Sequence, residues 1–166
     1  KGEYFPGHSI NLGVKHLKNI DYLLILSAHC IPIGKKWLQN LIKPLETDNA
    51  IAGSYCRQIP TPATSSENRI DLLNTFSIES RTQKSDSFFH NAASILRFKC
   101  WKNFPFDPKL KHIEDRYWAK EMIKKGWKIH YNGNCSVIHE HGLNQHEIAY
   151  HSFRGEGVSS LLEETN

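Results

Sequence analysis

Carboxylates, imidazoles and a hydroxyl gather at three points of this 166-residue chain, each at the edge of an apolar segment: Ser27-Ala28-His29, Glu114-Asp115 and His139-Glu140-His141. A carboxylate, ionised at neutral pH, can take the proton of a hydroxyl within hydrogen-bond reach as that hydroxyl becomes a nucleophile. A neutral imidazole ligates manganese and other borderline divalent metals better than magnesium, and a protonated one pairs with anions. On a strand, alternation turns His139 and His141 to the same side. Each cluster also has an ordinary reading. An acidic pair opening a helix complements its dipole, and a histidine at a strand end can simply hydrogen-bond a loop.

The elements that must position these groups alternate between helix and strand. Ser9 can cap a short helix carrying Ile10, Val14 and Leu17 on one face. Tyr22-Leu23-Leu24-Ile25-Leu26 is a continuous apolar run, the pattern of a strand covered on both faces in a parallel sheet. Ser27-Ala28-His29 therefore sits at a strand's carboxyl end, outside which open α/β sheets bind ligands. The Ile31-Pro32-Ile33-Gly34 stretch stops regular structure. Trp37, Leu38, Leu41, Ile42 and Leu45 trace an amphipathic helix that Pro44 should end or kink near Lys43. Ile51-Ala52-Gly53-Ser54-Tyr55-Cys56 is a second strand, and residues 58–67, with two prolines and several Ser and Thr, form a surface loop. Residues 69–76 suit a helix, 88–98 a strand passing the site, and 104–108 a rigid connection. A helix over 114–125 turns Trp118, Ala119, Met122 and Ile123 inward and ends at Gly126, the residue a C-terminal cap prefers. Two short strands, 128–131 and 136–139, flank an Asn132-Gly133 hairpin signal. Beyond residue 147 the chain is polar with a helical tendency.

Composition narrows the function. A hydrophobic share of 39% in 166 residues fits one domain over 1–166. Lys plus Arg total 21 against 17 Asp plus Glu, a net charge of +4, spread along the chain. That modest excess suits a nucleotide diphosphate or an acidic membrane surface as partner. Nucleic acid is set aside, because the sequence has no helix-turn-helix, RNA-binding strand signature or zinc finger. The four cysteines, Cys30, Cys56, Cys100 and Cys135, lie tens of residues apart inside apolar stretches. They read as small buried hydrophobes in a reducing compartment. No run of about 18 apolar residues and no signal-peptide pattern occurs. The first residues, Lys1-Gly2-Glu3, read as the middle of a turn before a helix, so the chain is expected to be a fragment of a longer protein.

The three clusters, in this order and with this alternation, resemble the family-2 glycosyltransferases with a GT-A fold, over nearly the whole chain. That family's helix opens with Asn-x-Gly, as in Asn11-Leu12-Gly13, and leads into an apolar strand ending in Asp-x-Asp and a proline. Here Leu23-Leu24-Ile25-Leu26-Ser27-Ala28-His29-Cys30-Ile31-Pro32 puts Ser27 and His29 at the two aspartate positions. Ser-Ala-His resembles a rhamnosyltransferase-like subgroup that builds bacterial polysaccharides of the cell envelope.

The resemblance implies an α/β, GT-A-like three-layer sandwich, truncated at its N-terminus. It implies an inverting transfer from a nucleotide-sugar donor to a polysaccharide or lipid-linked glycan. Asp115 would be the general base beside Glu114, and Ser27, His29, Asn11, Arg57 and Asn91 would contact the donor and its diphosphate. Arg57 could pair with a phosphate or equally anchor the loop after it. The divalent metal, Mn or Mg, would be held by His29 with His139 or His141; otherwise a protonated His29 would face the diphosphate itself. The reaction is expected in the cytoplasm, at the inner face of a membrane where the chain would associate peripherally. Lacking preceding strands, the strand at 22–27 would present an apolar edge prone to self-association. Two other readings remain: a silent sugar- or nucleotide-binding domain of the same fold, and a histidine-rich metal-binding protein.

Overall fold

A buried sheet must pair the backbone of every inner strand on both edges, and here one long strand sets the arrangement. The computed structural model describes residues 4–62 and 64–139. Its elements run α1 (Pro6–Val14), β1 (Tyr22–Leu26), β2 (Cys30–Pro32), α2 (Trp37–Thr47), β3 (Ile51–Ile59), α3 (Ser66–Thr75), β4 (Arg81–Gln83), β5 (Ala93–Arg97), α4 (Phe98–Asn103), α5 (Glu114–Lys124) and β6 (Lys128–His139). The strands join in the order β1-β5-β3-β6-β2, with β4 also on β6. Only β3 and β6 run parallel; β1–β5, β3–β5, β2–β6 and β4–β6 are antiparallel.

Two apolar clusters lie on the sheet and make the three layers. One joins Tyr55, Leu96, Ile129 and Tyr131 of the sheet to Val14 of α1, Trp101 of α4 and Trp118 and Met122 of α5. The other joins Ile51, Cys56, Ile95 and Val137 to Trp37, Leu41 and Leu45 of α2. All four cysteines are free and buried, as their apolar surroundings suggest. The predicted α5 forms, and Gly126 at φ +84° follows it in the left-handed region that closes a helix.

Several expectations are corrected, the first by local backbone chemistry and most of the others by partners distant in the chain. The first helix starts at Pro6, not after Ser9, because a proline lacks the N–H that a first helical residue leaves unpaired and its φ is preset. β1 is antiparallel and ends the strand order; Leu24 and Leu26 stay 39% and 40% exposed, so it is not covered on both faces. Ile31-Pro32 does not stop regular structure but belongs to β2, pairing with the end of β6. The α2 helix passes through Pro44 to Thr47. Proline deprives the Asn40 carbonyl of its intrahelical donor, and the Asn132 side chain supplies one at 2.8 Å. Leu38 is on the exposed side of that helix. β3 runs three residues beyond Cys56, so Gln58 is a buried strand residue and not the start of a loop. α3 begins at Ser66, capped by the Ser65 hydroxyl, and of 88–98 only Ala93–Arg97 is strand, with α4 following.

The Asn132-Gly133 hairpin is absent. β6 is one twelve-residue strand, and the register on β3 jumps from Cys56↔Asn132 to Arg57↔Ser136. Asn-Gly thus serves a bulge, with Asn132 Oδ1 accepting the Asn134 N–H at 3.0 Å. A Cβ on Gly133 would stand 2.2 Å from the carbonyl oxygen of Ile78, so no side chain fits. Gly133→Ala is therefore expected to cost about 1–3 kcal/mol of stability by overpacking, read as a lower midpoint in urea unfolding; an unchanged midpoint would refute this packing.

Candidate active site

Antiparallel pairing of β2 with the last residues of β6 sets Cys30 opposite His139, joining two sequence clusters 110 residues apart. Ser27 follows β1, its N–H held by the Ala92 carbonyl at 2.9 Å, and a tight turn closes with Cys30 N–H on the Ser27 carbonyl at 2.9 Å. His29 at the turn's tip thereby meets His139: their Nε2 atoms are 2.8 Å apart and the rings stack at 14°. His139 is buried, and its Nδ1 bonds Oε1 of Gln58.

The two carboxylates open α5 on the same cavity. Its volume is about 560 Å³, and its walls include Ser27, His29, His90, Asn91, Glu114, Asp115 and His139. Asn91 ties the acids together. Its N–H donates to Asp115 Oδ2 at 2.9 Å and its side-chain Nδ2 to Glu114 Oε1 at 3.2 Å, while its Oδ1 accepts the Ser94 hydroxyl at 3.1 Å. The Arg116 N–H donates to Asp115 Oδ1 at 2.7 Å. Burial pushes the Glu114 carboxyl upward, and the neighbouring Asp115 charge adds to that rise. Burial also raises Asp115, against the pull of the Asn91 and Arg116 N–H groups. Two adjacent acids with raised values form a proton-accepting pair matched to neutral pH better than a solvated carboxylate.

Of the residues singled out in the sequence, Ser27, His29, Asn91, Glu114, Asp115 and His139 share this cavity. Asn11 and Arg57 do not line it. The Asn11 amide is spent on packing, donating to the Phe106 carbonyl at 2.7 Å and accepting the Trp101 indole N–H at 3.1 Å. Arg57 donates to the carbonyl of Phe76, the residue after α3, at 3.2 Å. His141 lies outside the described residues. Sequence reasoning missed His90 and His112, which also line the cavity. His90 was legible as the neighbour of Asn91; its Nδ1 accepts the Ala92 N–H at 3.1 Å. It missed Cys30 too, whose buried side chain gave no cue beyond its place after His29.

The donor atoms of His29, Cys30 and His139 lie within 4.8 Å of one another, the cluster among the described residues that could hold a metal. Burial, and then the charge of Cys56, push the Cys30 thiol up to about 12, so it enters protonated and weak as a donor. Two imidazoles with no carboxylate in the cluster fit a borderline divalent ion and not Mg²⁺, which demands oxygen ligands. A second cavity, about 440 Å³ between α2 and β6, has Asp48 as its acid, and Lys128 pairs with it at 2.9 Å.

The chain has a GT-A-type glycosyltransferase fold. It matches a mannosyltransferase, PcManGT from Pyrobaculum calidifontis in complex with GDP-Man and Mn²⁺, at TM-score 0.63 and 15% identity, over 89% of this chain and 39% of that one. It matches GalNAc-T7 with UDP, GalNAc and Mn²⁺ at TM-score 0.64 and 15% identity, over 84% of this chain and 31% of that one. The chain thus spans under two-fifths of the length of either. No protein-family model and no curated protein sequence matches it.

The raised carboxyls carry a signed prediction. The folded chain holds their protons more tightly than the unfolded one, so stability is fullest below the ordinary carboxyl value, about 4, and is lost as pH rises through the raised values. Glu114→Gln keeps an acceptor for Asn91 and removes the ionisation. It is expected to raise Tm by a few °C at pH 8 and not at pH 4; the same difference at both pH values in thermal melts would contradict the assignment.

Proposed function

We propose that this chain belongs to a nucleotide-sugar-dependent glycosyltransferase of the family-2, rhamnosyltransferase-like kind, building a polysaccharide or lipid-linked glycan with inversion. The observation that carries the reading is the shared cavity, in which a buried carboxylate pair faces an imidazole pair across space for a small substrate. The GT-A-type fold supports it, as do neighbours whose structures hold GDP-Man or UDP.

In this reading the acceptor hydroxyl oxygen attacks the anomeric carbon as its proton passes to Asp115. The bond from that carbon to the diphosphate oxygen breaks, and the nucleoside diphosphate leaves with the electron pair. Asn91 keeps Asp115 and Glu114 in place, and one raised carboxyl limits the repulsion between them. His29 and His139 are the residues that would hold a divalent ion of the Mn²⁺ class, which when bound neutralises charge on the departing diphosphate. A lipid-linked acceptor would put the reaction at the inner, cytoplasmic face of a membrane, with peripheral contact; no described helix is long and apolar enough to cross one.

The competing reading is a donor-binding domain without turnover, favoured by the absence of carboxylates at Ser27 and His29. Calorimetric titration with UDP, GDP and dTDP, with and without Mn²⁺, and transfer assays on Asp115→Asn separate the two. The transferase reading expects one nucleotide to bind with a Mn²⁺ requirement. It also expects Asp115→Asn to lose about 10²–10⁴-fold in turnover with nucleotide affinity nearly unchanged. Binding without turnover favours the competing reading, and no nucleotide binding, either by this chain or by a form extended at its N-terminus, rejects both.

A further inference from the structure

Gln58 is a full amide side chain, 1% exposed, near the carboxyl end of β3. Burying an amide costs about 1–3 kcal/mol unless it is bonded. Its register partner on β6 is Val137, and strand alternation sets His139 on the same face as Val137. The side chain therefore reaches diagonally, one pleat forward, and its Oε1 meets Nδ1 of His139. A carbonyl oxygen accepts and cannot donate. The proton of that bond belongs to His139 Nδ1, and the Nε2 of the same ring is left with its lone pair, 2.8 Å from Nε2 of His29.

We infer that Gln58 is a positioning residue, fixing His139 as the Nδ1–H tautomer so that its Nε2 lone pair is presented to His29 and to a cation shared with it. The role in sugar transfer rests on the function proposed above; the tautomer rests on the hydrogen bond alone. A histidine that ligates through Nε2 needs its other nitrogen held by an acceptor, and such partners commonly matter 10–100-fold in metal affinity. Length matters here: asparagine at 58 would fall short of the diagonal, whereas glutamate keeps both reach and acceptor.

Long-range ¹H–¹⁵N spectra of the ¹⁵N-labelled, metal-free chain test this, with the His139 signal identified by its loss in His139→Ala. The expected result is a protonated Nδ1 and an unprotonated Nε2. Gln58→Leu should mix the tautomers and weaken Mn²⁺ binding, measured by calorimetry, by about 10–100-fold, while Gln58→Glu retains both properties. A proton on Nε2 in the unaltered chain overturns the inference, as does a folded Gln58→Leu protein with unchanged tautomer and Mn²⁺ affinity. Should Gln58→Leu fail to fold, the unaltered spectrum decides alone. An Nδ1–H His139 together with no nucleotide binding, by this chain or by a form extended at its N-terminus, upholds this role and rejects the transferase, so the two conclusions fail separately.

Discussion

A strand inside a sheet must find backbone partners along both edges, and β6 finds three. Along one edge it runs parallel to β3; along the other β4 pairs with its first half and β2 with its last residues. The bulge at 133–135 lets the same strand satisfy β3 on both sides of the register jump. The site depends on this division. If β4 continued along the whole edge, β2 would have no place, and His29 and Cys30 would lose their position against His139. The close approach of Gly133 to the Ile78 carbonyl and the bond from Asn132 to the carbonyl released by Pro44 both lock the bulge from outside.

The parts legible in the sequence are those fixed by local pattern. The apolar face of α2 and the inner face of α5 follow from helical spacing, and the placement of polar clusters at element ends gave five of the cavity residues, with Asn91 added by the family resemblance. The rest depended on partners distant in the chain. Asn-Gly favours a tight hairpin only when nothing else pairs with the strands on either side, and here β3 holds both halves of β6 in one line. Pro44 should break a helix, yet the lost bond is replaced by a residue 92 positions away. The run at 22–26 is apolar enough for a parallel strand buried on both faces, but composition carries no information on direction or on which side lacks a neighbour. The parts that Gln58 and Cys30 play beside His139 were not legible, because a buried amide and a thiol declare their use only through contacts that folding creates.

The cavity also shows how burial and charge are set against each other. Glu114 and Asp115 are adjacent, both buried, and bound to the same asparagine. Leaving both ionised there would place two negative charges in a poorly solvated space, so their proton affinity rises. A helix N-terminus ordinarily lowers a carboxyl, and here desolvation outweighs it. The N–H groups of Asn91 and Arg116 then fix the Asp115 oxygens in direction, which keeps its remaining lone pairs aimed at the cavity rather than swinging freely.

In the proposed reading, Ser27 and His29 stand where the resembling family carries two aspartates, and the same electrostatics bears on that difference. A diphosphate leaving group gains negative charge as its bond to the sugar breaks, and a positive charge about 4 Å away is worth about 4 kcal/mol at an effective dielectric near 20. Two aspartates with a divalent ion sum to zero at that point, whereas neutral Ser27 and the neutral imidazoles of His29 and His139 with the same ion would sum to two positive charges. The histidine pair would therefore leave the whole charge of a bound ion to receive the departing charge, where a carboxylate pair would cancel it. It also adds no repulsion to a cavity that already holds two buried acids.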